Sequence, residues 1–179
     1  MVSPDRLRPA TASDIPALEE LIARSGRGLS APYYTEEQAE ALTRQVFGVD
    51  SQLVTDGTYY VIERQGRPLA CGGWSRRRTL YGGDRHKSGP DPLLDPGHEP
   101  ARIRAFFVDP TMARRGLGTR LMEECVRAAR TAGFRSLELA STLPGVPLYE
   151  ATGFTIVERF EIDLEGGLRV PLARMRRTI

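Results

Sequence analysis

One stretch of the chain constrains its fold more than any other. Residues 102–132 read as a strand, a turn carrying two glycines, and an amphipathic helix. Arg102 to Val108 alternates polar and apolar before turning fully apolar, as a strand entering a core does, and Asp109-Pro110 ends it. From about Arg115 to Ala132, Leu117, Leu121, Met122, Cys125, Val126 and Ala129 recur at helical spacing, and Gly133 stops the run. Gly116 and Gly118 fall in the first turn, where a glycine costs roughly 1 kcal/mol against alanine. Two physical reasons account for such a placement: a ligand that must approach the backbone closely, or tight packing of helix on strand. The unpaired N–H groups and partial positive charge of a helix N-terminus suit an anion, and Arg114 and Arg115 add cationic side chains suited to phosphate. No Gly-Lys-Ser/Thr follows, so this is not a Walker loop, and the third glycine of the dinucleotide fingerprint is missing.

The rest of the chain supplies partners for this unit. At 179 residues, 40% apolar and 27% charged, it suits one domain, 1–179, with a core large enough to need no disulfide or metal staple. RLRPAT reads as a strand, and a helix capped by Ser13 or Asp14 follows with Leu18, Leu21 and Ile22 on one face. The Gly/Ser/Pro stretch from Ser25 to Pro32 is expected to break it. Thr35-Glu36-Glu37-Gln38 resembles a capping box opening a second helix to about Phe47. Tyr59 to Arg64 and Pro68 to Tyr81 read as strands joined by a hairpin at Gln65-Gly66-Arg67. Residues 82–100, dense in Gly, Pro and Asp, are expected to form a long exposed loop. Ser136 to Ala140 reads as a strand, Val146 to Thr152 as a short helix, and Phe154 to Asp163 and Val170 to Arg176 as closing strands.

Composition excludes several classes of function. The formal net charge of +2 lacks the basic excess of a nucleic-acid binder, although of 25 basic residues only Lys87 is a lysine. Cys71 and Cys125 fit neither a zinc pattern nor a disulfide framework, and His86 and His98 fall in a polar loop, so no metal is expected. No apolar run reaches the roughly 18 residues of a membrane span, and MVSPDRLRPA has no signal-peptide core. A cytoplasmic protein without membrane or nucleic-acid partners is expected.

The run Val108-Asp109-Pro110 to Arg114-Arg115-Gly116-Leu117-Gly118, ahead of a long helix, resembles the acetyl-CoA signature of the GCN5-related N-acetyltransferase (GNAT) family. About thirty residues on, Pro147-Leu148-Tyr149-Glu150-Ala151-Thr152-Gly153-Phe154 resembles that family's second signature, a short helix ending in Tyr-x-x-x-Gly-Phe. The resemblance implies an α/β fold, with a mixed, splayed sheet of about seven strands flanked by about four helices. It implies acetyl-CoA as co-substrate between the strands at 102–108 and 136–140. The pantetheine arm would pair with the backbone of Phe106, Phe107 and Val108, and the diphosphate would rest on the amides of Arg114, Arg115, Gly116, Leu117, Gly118 and Thr119. Ala113 stands where the family usually has Gln or Arg, which leaves the charge to Arg114 or Arg115.

The implied function is N-acetyl transfer to a primary amine in a ternary complex. Tyr149 holds the family's usual acid position. Glu138 matches the glutamate base of some members if one residue is missing from the intervening loop; otherwise it is a solvated or salt-bridged strand residue. Glu99 and a water chain are the other candidates for base. Trp74 and Tyr33 are expected near the acceptor: Trp74 as an apolar floor beside Arg76, Arg77 and Arg78, or as core beneath a solvated hairpin; Tyr33, with Tyr34, as a cleft or packing residue. A non-catalytic acyl-CoA sensor of the same fold is the alternative, and the closing strands could pair with a second copy in a homodimer.

Overall fold

A computed structural model of the chain describes residues 4–179. Seven strands of these residues form one sheet: β1 (Arg6–Pro9), β2 (Tyr59–Arg64), β3 (Arg67–Ser75), β4 (Ala101–Val108), β5 (Ser136–Thr142), β6 (Thr155–Leu164) and β7 (Leu168–Thr178). Their order across the sheet is β1-β2-β3-β4-β5-β7-β6. Every neighbouring pair is antiparallel except β4 and β5. That parallel pair joins only through Ala101↔Leu137 and Arg102↔Glu138, and beyond those residues the two strands separate. The sheet is thus splayed at its centre.

Among the described residues five α-helices flank it: α1 (Ile15–Ser30), α2 (Glu36–Gln45), α3 (Ser51–Thr55), α4 (Leu117–Thr131) and α5 (Val146–Ala151). On one face α4 buries Leu117, Leu121, Met122, Cys125 and Val126 against β2, β3 and β5. On the other, Leu18, Leu21 and Ile22 of α1 pack on Tyr59, Val61 and Cys71. The two helices therefore clamp the sheet on either side of its opening.

Local chemistry explains most boundaries. The capping box at Thr35 forms in both directions, the Thr35 hydroxyl accepting from the Gln38 N–H and the Gln38 side chain accepting from the Thr35 N–H, each at 3.1 Å. The β2–β3 hairpin turns on Gln65 and Gly66, both at positive φ, as a two-residue turn between twisted strands requires.

Three expectations change. Helix α1 does not break at Ser25 but runs on to Ser30, because its glycines make room for neighbours. A Cβ at Gly26 would lie 2.8 Å from the Phe47 ring, and one at Gly28 would lie 2.5 Å from Pro110. The second strand of the hairpin ends at Ser75 rather than continuing to Tyr81. The loop over 82–100 is exposed along much of its length, but Gly83 and Leu94 are buried. Lys87 pins it by pairing with Asp50 at 3.0 Å and Asp91 at 3.3 Å. Helix α3, capped by Asp50, has no counterpart in the sequence reading.

Candidate active site

The site is built where β4 leaves β5. Strand β4 carries a bulge, since Cys71 and Gly73 of β3 pair with Phe107 and Arg104, and the extra residue is taken up around Ala105. Ala105 sits at φ 53, a left-handed conformation that costs a non-glycine residue roughly 1–2 kcal/mol. The Tyr59 hydroxyl, donating to the Ala105 carbonyl at 2.9 Å, helps to hold it there. Opposite, Gly72 leaves space for the Phe106 ring: a Cβ on Gly72 would lie 2.6 Å from it. Phe106 in turn packs edge-on against Tyr149 of α5, with ring centroids 6.1 Å apart, and Tyr149 packs on Phe154 at 5.8 Å. A strand bulge, a missing side chain and two aromatic contacts thereby fix one phenol.

Two cavities meet at that phenol. The larger holds about 640 Å³ and runs from Tyr149 past Phe106, Phe107 and Val108 to the start of α4. The smaller holds about 80 Å³ on the side of α2 and the loop at 80–83. Phe47, Phe106, Phe107, Thr142 and Tyr149 border both. Tyr149 is only 8% exposed, and burial pushes its phenol well above the usual value, so it keeps its proton across the physiological range.

At the far end of the larger cavity, Arg114 and Gly116 both take positive φ, 64° and 80°, and turn the chain into α4 with Gly116 as N-cap. Nothing lies within 4 Å of a Cβ built on Gly116, so its conformation, not crowding, calls for glycine. Gly118 answers to a different demand, because a Cβ there would lie 2.7 Å from Leu148 of α5. No side chain caps α4, which leaves its first-turn N–H groups facing an open cradle bordered by Arg114, Gly116, Leu117, Gly118 and Thr119. Arg115 is not on that wall and is exposed. Along the freed edge of β4, the Val108 N–H donates to Ser25 Oγ at 3.2 Å.

The model of the acetyltransferase (GNAT) family matches residues 16–154. The chain belongs to this family. Among solved structures it is similar to a GCN5-related N-acetyltransferase from Rhodopseudomonas palustris, at 19% identity and TM-score 0.72, covering 100% of this chain and 98% of that one. It is similar to the PaiA N-acetyltransferase of Thermoplasma acidophilum in complex with coenzyme A, at 13% identity and TM-score 0.66, covering 99% and 100%. It also resembles yncA from Salmonella typhimurium with its cofactor acetyl-CoA, at 15% identity and TM-score 0.63, covering 98% and 94%. A comparison with curated protein sequences gives no match. These likenesses carry the GNAT fold, and the geometry must carry the rest.

Several residues singled out in the sequence lie away from the GNAT cavities. Trp74 is 2% exposed and lines neither; it packs edge-on against Phe134 at 5.9 Å, under α4, as part of the core. Its strand turns that face toward α4 rather than toward the opening. Of the three arginines beside it, Arg76 lies over the Trp74 ring, Arg77 makes a two-point pair with Asp56, and Arg78 faces Glu99 at 3.5 Å. Tyr33, 46% exposed, borders the larger cavity and not the smaller one. Tyr34 is a structural tie, its hydroxyl accepting from the Leu143 N–H at 2.9 Å and donating to the Pro171 carbonyl at 2.7 Å.

Glu138, 3% exposed, borders neither cavity. Its carboxylate accepts from Arg102 at 3.2 Å and from Arg176, with Arg174 at 3.9 Å. Glu99 is likewise occupied by the Asp95 N–H and Arg78. Sequence reasoning missed Phe47, Gly72 and the wall at 80–83, whose roles come from contacts distant in the chain. The bulge had only the run of apolar residues at 105–108 to signal it.

Proposed function

We propose that this chain is an acetyl-CoA-dependent N-acetyltransferase that passes the acetyl group directly to a primary amine while both substrates are bound. The observation that carries the reading is Tyr149 at the junction of a long cavity and a short one. The long cavity suits coenzyme A: its diphosphate against the first-turn amides of α4 with Arg114 nearby, its pantetheine arm along Phe106, Phe107 and Val108 in the manner of an added strand. Ser25 would yield the Val108 N–H to that arm. A main-chain N–H of Phe107 or Val108 would meet the thioester oxygen as it becomes an oxyanion. The amine nitrogen attacks the thioester carbon, the C–S bond breaks, and the Tyr149 hydroxyl protonates the departing thiolate. A thiol with a pKa near ~8.5 against a raised phenol makes that transfer uphill at Tyr149, so the reaction also needs the amine's proton to pass back to the phenolate.

Calorimetry with acetyl-CoA tests the first half; no binding at millimolar concentration ends the reading. Tyr149→Phe tests the second, with turnover expected to fall by about 10²-fold or more while coenzyme affinity stays within about twofold. Full turnover in that variant removes the acid role. A second reading, a non-catalytic acyl-CoA sensor, draws on Glu138 and Glu99, whose carboxylates are both engaged away from the cavities. Coenzyme binding with no acetylation of any amine in a broad panel would favour it.

A further inference from the structure

The smaller cavity has a chemistry of its own. Leu42 of α2, Val46 just after it, Leu80, Ile103 of β4 and Leu172 of β7 give it apolar walls. Among the described residues no Asp, Glu, Lys or His borders it, and its only titratable side chains are those of Tyr81 and Tyr149. Charges behind the walls are already matched. Glu19 of α1 approaches Gly48, but its carboxylate accepts from the Val49 N–H at 2.8 Å and faces Arg85 at 3.2 Å. Arg104 of β4, almost fully buried, pairs with Asp50 at 3.0 Å, and Lys87 joins Asp50 to Asp91.

The same guanidinium makes the wall rigid. Arg104 donates to the carbonyls of Thr79 at 3.1 Å and Gly82 at 2.6 Å, bracketing Leu80 and Tyr81. The cavity therefore offers a space of about 80 Å³ that mixes apolar side chains with neutral polar surface and has no carboxylate on its lining to hold a cation. An engineered apolar cavity that takes up benzene measures roughly 150 Å³, so this one accepts a single small group and leaves any larger body at its mouth.

We propose that the acceptor is a weakly basic primary amine on a small apolar body, bound in its neutral form. The inference rests on the acetyltransferase reading above. An alkylamine resembling a lysine side chain, with a pKa near ~10.4, is neutral in only about one molecule in 2,500 at pH 7. Such an ammonium would have to shed its proton to solvent and give up its hydration in a cavity with no carboxylate to compensate. A neutral amine needs neither. When its nitrogen bonds to the acetyl carbon and the C–S bond breaks, the proton lost from nitrogen balances the proton gained by sulfur. Tyr149 can relay that exchange, and the reaction releases no net proton.

The experiment uses the full chain, acetyl-CoA and four amines: 2,2,2-trifluoroethylamine, propargylamine, n-propylamine and the dication putrescine, followed by thiol release at several pH values. At pH 7 the efficiency per total amine should fall in that order by at least tenfold from first to last. For the three monoamines the values should converge when expressed per neutral amine. Equal efficiencies, or a preference for n-propylamine or putrescine, overturn the proposal while leaving acetyl transfer intact. No acetylation of any amine despite calorimetric coenzyme binding overturns the acetyltransferase reading, and this proposal with it. Leu80→Asp should move the preference toward n-propylamine by at least tenfold relative to Leu80→Asn, with unchanged coenzyme affinity reporting that both variants fold. The same preference in both would also count against the proposal.

Discussion

Gly116 and Gly118, two positions apart, are glycine for unlike reasons, and substitution separates them. At Gly116 an alanine meets no atom but must adopt φ 80, a strain of about 1–2 kcal/mol. At Gly118 the helix conformation is ordinary, and the obstacle is Leu148 Cδ2 at 2.7 Å from the added carbon. Gly118→Ala should therefore lower both melting temperature and coenzyme affinity by pushing Leu148 into the larger cavity. Shortening the obstacle should restore part of the loss. The double variant Gly118→Ala/Leu148→Ala is expected to be more stable than the sum of the single effects predicts, by about 0.5–3 kcal/mol in denaturant titrations. Strict additivity would show that Gly118 answers to something other than α5. Both glycines were visible in the sequence, but not the division of labour, because Leu148 arrives from thirty residues away.

Elements whose ends are decided locally were legible, and those decided by distant packing were not. The capping box of α2 needs only Thr35 and Gln38, and it forms. Its Gln38 also donates to the Arg169 carbonyl at 2.8 Å, tying α2 to β7. Thr35→Ala should cost about 1 kcal/mol in urea unfolding while leaving coenzyme affinity unchanged, since Thr35 borders neither cavity. A change in affinity without a change in stability would contradict that division. Helix α1 shows the opposite case: Ser25-Gly26-Arg27-Gly28 looks like a break, yet the glycines exist for Phe47 and Pro110, which lie far along the chain. Glu138 is similar, its arginines coming from β4 and β7. Trp74 was left open between a cleft floor and the core, because the layer that covers β3 there is α4, more than forty residues further along the chain. The separation of β4 from β5, by contrast, was implied by the family signatures once both were found in order.

At the scale of the whole molecule, two carboxylates fasten peripheral chain to the sheet and set the response to acid. Asp14 faces Arg8 of β1 at 2.8 Å, and Arg8 also reaches Glu63 of β2 at 2.7 Å. The Arg8 guanidinium holds the Asp14 carboxyl well below the usual carboxylate range, against the opposing effect of burial and with help from Thr11. Asp56, after α3, is lowered in the same way by Arg77, which also donates to the Asp91 carbonyl at 3.1 Å and so anchors the long loop. Between the lowered folded value and the unfolded value near ~3.9, the unfolded chain binds more protons than the folded one. The stabilisation is therefore complete above pH ~4 and is lost as pH falls through the folded values. Melting temperature should accordingly drop steeply below pH ~4. Replacing Asp14 by Asn and Arg77 by Met should lower it at pH 7 and make the acid limb shallower. A limb of unchanged steepness in that double variant would move the origin of acid sensitivity to other carboxylates.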